Sequence, residues 1–451
     1  MNRSRMNKRS RDKRSRNKRP AKDSRDYTIQ LRKVFTRYLP QRGLPLHGGA
    51  GRWADRMLVM ALLMMVLSCF DSLVERFAEA RAMVVKMYPS RRRPGRTYTG
   101  FIGQMANRSE RLLALVTQGL RGHVRRVAGV NWKVAGHVAF GVDGTKSDAP
   151  RTRANEEGLK IGGKHKSGPQ QLLVALVHLG TGLPWSFRRG AAIASERGLL
   201  LEQLACLPVG ALVVGDAGFV GYVLLQTILH AKLNLLVRAG SNVRLLVKLG
   251  WQISERGDCV YVWPENARKD GLEPLVLRRI VLVDGRNRRM CLLTNLDEKA
   301  LTREQACELY SRRWGIEVFF RGLKQTLSRR KMLSRTPGHA QVELDWTMVG
   351  YWMLGLWLWE QRPEKVPVSQ GLAWSLRLVR CAMGARLDRR SNLKAIWQHM
   401  TVDRYIRLRS RKARNWPHRK NDPPCGMPKI RMATPTEIRY AKALAQQKLA
   451  A

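Results

Sequence analysis

The chain has 451 residues, 44% of them hydrophobic, which is enough to bury a substantial core and to form more than one unit. Its 83 Lys and Arg against 34 Asp and Glu give a formal net charge of +49, far beyond what solubility requires, and point to a polyanionic partner, nucleic acid first. Seven cysteines without a C-x-x-C pair exclude a disulfide scaffold and a paired-cysteine metal site, so they read as reduced thiols of a cytosolic protein.

In chain order, residues 1–33 carry 14 basic and 3 acidic residues and read as a basic disordered arm. Residues 34–128 read as a helical, DNA-binding region. Within it 52–87 form one helical stretch, PSRRRPGRTYTG from Pro89 is a linker, and 101–127 form a second helix. The uncharged run MLVMALLMMVLSCF (57–70) is too short to span a bilayer and predicts a buried helix; it also begins too far from the amino terminus for a secretory signal, and no membrane partner is expected. From about 129 the texture changes. GHVAFGVD (136–143), QQLLVALVHLG (170–180), LPWSFRRG (183–190), ALVVGD (211–216) and NLLVRA (234–239) read as strands, with helices over 195–207 and 219–231. That β-β-β-α-β-α-β order predicts a mixed α/β sheet. Residues 242–296 are strand-rich and look inserted before a long helix that opens near Thr302. Residues 361–451 predict a helical, basic C-terminal region, with helices over 370–385, 391–400 and 435–448 and a basic loop RLRSRKARNWPHRK from Arg407.

Asp143 and Asp216 each end an apolar strand, a rigid mount for a carboxylate. VDG and GDAG are also turn sequences, and LVDGRN at Asp284 has the same look and is assigned to a turn. The helix ELYSRRWGIEVFFRGLKQTL distinguishes the first two. At about 100° per residue its Tyr310, Arg313, Glu317 and Lys324 fall within roughly a 60° arc, while Trp314, Ile316, Val318, Phe319 and Leu323 supply apolar surface for packing. A bare i,i+4 ion pair of Arg313 with Glu317 is the bland alternative. Three carboxylates are the donors that Mg²⁺ prefers, and two such ions about 4 Å apart are what phosphodiester exchange needs. His137, His165 and His178 lie apart and form no metal motif.

These residues carry a resemblance. The spacing Tyr-x2-Arg-x3-Glu-x6-Lys at Tyr310, Arg313, Glu317 and Lys324, VDGTKSDAPRTRAN from Val142 and VVGDAGFVG from Val213 are similar to the DDE transposases of bacterial insertion sequences, in the insertion-sequence-four group. The resemblance implies an RNase H-like mixed-sheet catalytic core over about 129–360, with a β-rich insertion at 242–296, flanked by mainly helical regions. It implies Asp143, Asp216 and Glu317 as ligands of two Mg²⁺ ions, for which Mn²⁺ substitutes, and Tyr310, Arg313 and Lys324 as DNA contacts. The expected DNA is the terminal inverted repeats and the target, held by a homodimer in the synaptic complex on the bacterial nucleoid. Thr145 and Asn155 would shape the first loop, Trp251 and Trp263 are the alternatives for a tryptophan stacking on a flipped base, and Asp148 is read as a surface acid. The other readings are a non-catalytic DNA-binding remnant of a transposase and a two-metal nuclease that cleaves without joining.

Overall fold

The computed structural model describes residues 26–46, 52–89, 93–162, 168–251, 257–283, 289–361, 372–384, 392–398 and 426–450. Residues 1–25, Asp284, His165, Cys425 and the basic loop from Arg407 lie outside the described residues. The arm expected over 1–33 ends early. Helix α1 already spans Tyr27–Thr36, capped by Asp26, because Tyr27, Leu31 and Phe35 recur at helical spacing and are buried. The apolar run forms α2 (Asp55–Leu67), buried along almost its whole length as expected. Continuous helix over 52–87 is not found: the chain leaves the helix at Ser68, and Ser72 caps a new one, α3 (Leu73–Met87), by accepting the Glu75 N–H at 3.2 Å. Helix α4 runs Tyr98–Ala128, and its Arg108 and Arg111 reach Asp55 at the start of α2. Among the described residues no helix is long and apolar enough to cross a membrane.

Strands β1 (Ala139–Asp148), β2 (Gln170–His178), β3 (Leu183–Ala191), β4 (Leu212–Gly215) and β5 (Asn234–Ala239) lie in the order β3-β2-β1-β4-β5, with α5 (Arg153–Leu159), α6 (Glu196–Leu201) and α7 (Tyr222–His230) on the connections. Pairs β1–β2 and β2–β3 are antiparallel hairpin neighbours, whereas β4 and β5 join in parallel through helical crossovers. The strand-rich stretch 242–296 is not a body apart. Its β6 (Arg244–Val247), β7 (Cys259–Val262), β8 (Leu275–Val283) and β9 (Arg289–Thr294), with the short α8 (Glu265–Lys269), extend the same sheet, since β9 pairs antiparallel with β5.

Helices α9 (Arg303–Arg312) and α10 (Trp314–Arg321) follow, then a π-helical turn Gly322–Thr326 and the buried α11 (Pro337–Gln361). Helices α12 (Leu372–Met383) and α13 (Leu393–Gln398) pack on α11, and α12 also meets α1 and α2. The C-terminal stretch, expected to be helical, also supplies a strand. β10 (Lys429–Met432) pairs in parallel with β6 and completes a ten-stranded sheet before α14 (Pro435–Ala450). One hydrophobic core takes side chains from α1 to α4, both halves of the sheet, α11 and α12.

Candidate active site

Strand β1 is longer than the sequence suggests, so Asp143 lies in its middle and not at its end. The reason is its unequal neighbours: β2 pairs with residues 140–148, but β4 only with 139–141. Beyond Gly141 the β4 side of β1 is open, and continuing the parallel register puts Asp143 level with Asp216, the residue after β4. Such a crevice, where neighbouring connections leave a sheet in opposite directions, is where open α/β sheets place ligands. Both aspartates are held by a backbone N–H just after them, Asp143 within the strand and Asp216 at the turn that follows β4. Asp143 Oδ1 accepts the Gly144 N–H and Asp216 Oδ1 the Gly218 N–H, each at 2.8 Å.

Helix α10 brings the third acid. Ile316, Phe319 and Phe320 form its buried face, continued by Leu323 of the π-turn, and Ile316 packs so closely on Gly141 that a Cβ there would meet its Cδ1 at 2.5 Å. Trp314 and Val318, expected to pack as well, are 61% and 44% exposed, because each lies two residues, about 200°, from Ile316. Arg313 links the acids: its Nη2 is 3.3 Å from Glu317 Oε1 and its Nη1 3.8 Å from Asp143 Oδ2, and its guanidinium lies over the Tyr310 ring at 5.7 Å. Lys324 does not continue the straight stripe. It sits in the π-turn, closed by the Leu327 N–H donating to Gly322 O at 3.1 Å, and its charged neighbours are Asp148 at the far end of β1 and Arg330. Burial lowers the Lys324 pKa, and Asp148 opposes that shift. Asp148 is therefore no loose surface acid: it is half-buried, accepts Gln170 Nε2 at 2.8 Å, and its backbone bridges to Arg330 and Met332.

Burial, aided by the like charges of Asp216 and Glu196, raises the Asp143 carboxyl from its ordinary value to about 6, against the Gly144 N–H and Arg313. Two neighbours escape sequence reasoning. Glu196, at the start of α6, has its pKa raised by burial and by Asp216. Arg238 of β5 interacts with the Tyr310 hydroxyl, whose pKa burial raises. Among the described residues no three His, Cys, Asp or Glu side chains converge closely enough to hold an ion as they stand. The donor set nevertheless fits Mg²⁺ or Mn²⁺: every donor is a carboxylate oxygen, and the desolvated, mutually repelling acids favour neutralisation by a cation.

Of the other residues, Asn155 is fully buried and its Nδ2 donates to Pro150 O and Ser334 O, holding α5 against the chain after the π-turn. Thr145 lies half-buried within β1 itself. Trp263 is buried, donates Nε1–H to Leu272 O and stacks on Tyr440, whereas Trp251 is half-buried beside residues that are not described. His178 is structural: it stacks on Trp132, its ring nitrogens face Thr181 and Trp132 O, and burial lowers its pKa to about 4. The six described cysteines form no disulfide.

No curated protein matches the chain. Among solved structures it is similar to the cryo-EM structure of a piggyBac transposase synaptic complex with hairpin DNA, at 11% identity over 84% of this chain and 79% of that one, with a TM-score of 0.39. Residues 135–353, the span that holds Asp143, Asp216 and Glu317, match the transposase DDE domain family, and that match supports a DDE transposase.

Proposed function

We propose that this chain is a DDE transposase of the insertion-sequence-four group, which cleaves the ends of an insertion element and joins the 3′ ends to target DNA, with Asp143, Asp216 and Glu317 as the ligands of two Mg²⁺ ions. The observation that supports the reading is the neighbourhood of these acids: Asp143 on β1 is level with Asp216, the residue after β4, and Arg313 lies within ion-pair distance of both Asp143 and Glu317. The strand order β3-β2-β1-β4-β5, antiparallel then parallel, supports an RNase H-like core within 129–360. When bound, the ions would activate the attacking oxygen and stabilise the leaving one, so no protein nucleophile is required.

The residues supply position and charge. The backbone N–H groups of Gly144 and Gly218 pre-set both carboxylates before any ligand arrives. Arg313 neutralises part of the acidic charge in the free protein; once cations do so, its planar fork is available for a phosphate, with the Tyr310 ring behind it. Lys324, on the same helical segment toward the other end of β1, would contact the DNA backbone farther from the cut. Two copies, each on one element end, would form the synaptic complex on the bacterial nucleoid.

The test is Mg²⁺- or Mn²⁺-dependent cleavage and joining of DNA bearing the inverted repeats that flank the gene, by the wild type and by Glu317→Gln. Cleavage and strand transfer by the wild type, both lost in Glu317→Gln while DNA binding persists, is the expected result. Cleavage without a joined product would make the protein a nuclease, and binding without cleavage in the wild type would leave a non-catalytic DNA-binding remnant.

A further inference from the structure

Helix α11 is buried over nearly its whole length, and Tyr351 in its second half is only 9% exposed. The ring meets α10 edge-on: the centroids of Tyr351 and Phe319 lie 4.7 Å apart, with the ring planes at 74°. Nearly one turn further along, where α10 gives way to the π-turn, a Cβ built on Gly322 would lie 2.8 Å from the Tyr351 hydroxyl oxygen and 2.9 Å from its Cε2. Only glycine lets the segment lie this close to the ring. The hydroxyl makes no hydrogen bond among the described residues, and burial alone raises its pKa, so the contact is one of shape.

This contact falls between the two polar side chains of the segment. Glu317 precedes Phe319 by two residues and Lys324 follows Gly322 by two, each about half a turn round, so both leave on the side away from the Tyr351 ring. A regular α-helix keeps its own register, whereas a π-helical turn is rare and needs support from outside. At the far end of the turn that support is plain: Ser328 takes a left-handed backbone conformation at φ 56°, the Arg329 N–H donates to Leu323 O at 3.2 Å, and the buried Arg329 is tied to Glu343. At the near end it is the Tyr351 ring against Gly322. Straightening the turn there would drive Gly322 into the ring and carry Lys324 away from its place near Asp148 and Arg330. Glu317 depends less on this contact, because it stands in regular helix where its neighbour Ile316 packs on Gly141.

We infer that Tyr351 is a positioning residue for DNA binding: its ring, set against Gly322, fixes the π-turn so that Lys324 reaches a backbone phosphate. This rests on the reading of Lys324 as a DNA contact. The test measures the salt dependence of binding to DNA bearing the inverted repeats that flank the gene, with the full chain as wild type, Lys324→Ala, Tyr351→Leu, Tyr351→Phe and the double variant Tyr351→Leu/Lys324→Ala, and thermal unfolding of each alongside. Loss of one phosphate contact lowers the slope of log affinity against log salt by about one and weakens binding about fivefold near 0.15 M salt. That loss is expected in Lys324→Ala and again in Tyr351→Leu, with no further loss in the double variant, while Tyr351→Phe, which keeps the ring, retains the wild-type slope. Gly322→Ala presses on the ring from the other side and is expected to lose the same contact, so it replaces Tyr351→Leu if that variant does not fold. A wild-type slope in Tyr351→Leu and Gly322→Ala, with the loss present in Lys324→Ala, would overturn the inference, as would losses that add in the double variant. A wild-type slope in Lys324→Ala would remove the reading of Lys324 as a DNA contact, and the inference with it.

Discussion

At the scale of single residues the site depends as much on what is missing as on the acids. Gly144 has room for a hydrogen only, because Glu196 occupies the place of a side chain. Gly144→Ala should therefore displace that carboxylate at little cost in stability, since what stands there is the far end of a flexible side chain, and reduce cleavage of element-end DNA at least about tenfold while the chain stays folded. Urea unfolding and the cleavage assay check both, and wild-type cleavage would show that the crowding has no bearing on catalysis. The proposal of Asp143, Asp216 and Glu317 came from distinctive local settings in the sequence: two acids following apolar runs, one on a helix with Tyr310 and Arg313 at neighbouring turns. The place of Glu196 beside Gly144 was not legible. Following Ser195, it reads as ordinary helix-start chemistry, and only the return of α6 onto Gly144, far off in the chain, brings it there. Asp148 was misread for a related cause: its partners Gln170 and Lys324 come from other elements.

At the scale of elements, α9 and α10 show how local rules bring Arg313 and Glu317 toward Asp143. Thr302 and Gln305 form a reciprocal cap, the Gln305 N–H donating to Thr302 Oγ1 at 3.3 Å and the Thr302 N–H to Gln305 Oε1 at 2.8 Å. Thr302→Ala should cost about 1 kcal/mol in chemical denaturation. Because Tyr310 and Arg313 lie about two and three turns on, it should leave Mn²⁺ binding unchanged; a loss of binding would mean that fraying of α9 travels as far as Glu317. This start signal was readable from sequence, as was burial of α2 from its unbroken apolar run. The π-turn at 322–326 was not, since helical periodicity carries no sign of where one turn widens. Here the chain must deliver Arg329 into the core, where it meets Glu343 and the Thr347 hydroxyl, and that tertiary demand ends the stripe before Lys324. The length of β1 likewise came from its partner β2 and not from its own residues.

At the scale of the whole molecule, the sheet does not stop at the crossover strands, and its far edge is closed by the C-terminus. Glu437, buried at the start of α14, receives Arg431 through both oxygens at 2.7 Å, the Thr434 N–H at 2.9 Å and Arg268 of α8, while Tyr440 donates to Arg268 O and stacks on Trp263. No sequence pattern announces this closure, because it joins residues from Arg268 to Tyr440 across the chain. The hydrogen bond from Arg431, with the Thr434 N–H and the nearby arginine charges, holds the Glu437 carboxyl at about 2, below its ordinary 4.5. A carboxyl depressed on folding adds stability that is present above its unfolded value and is lost as pH falls toward the folded one, so this closure should weaken between about pH 4.5 and 2. Glu437→Gln should cost about 2 kcal/mol near neutral pH, the scale of hydrogen bonds to a charged group. The stability gap between wild type and variant should then shrink through that window as the wild-type carboxyl takes up its proton. Amide exchange across residues 429–447 at pH 6, with urea unfolding repeated from pH 6 to 2, reads both effects. A gap that stays constant to pH 2 would show that Glu437 holds the edge by shape and not by charge, and that the β10–α14 segment is docked by its apolar contacts alone.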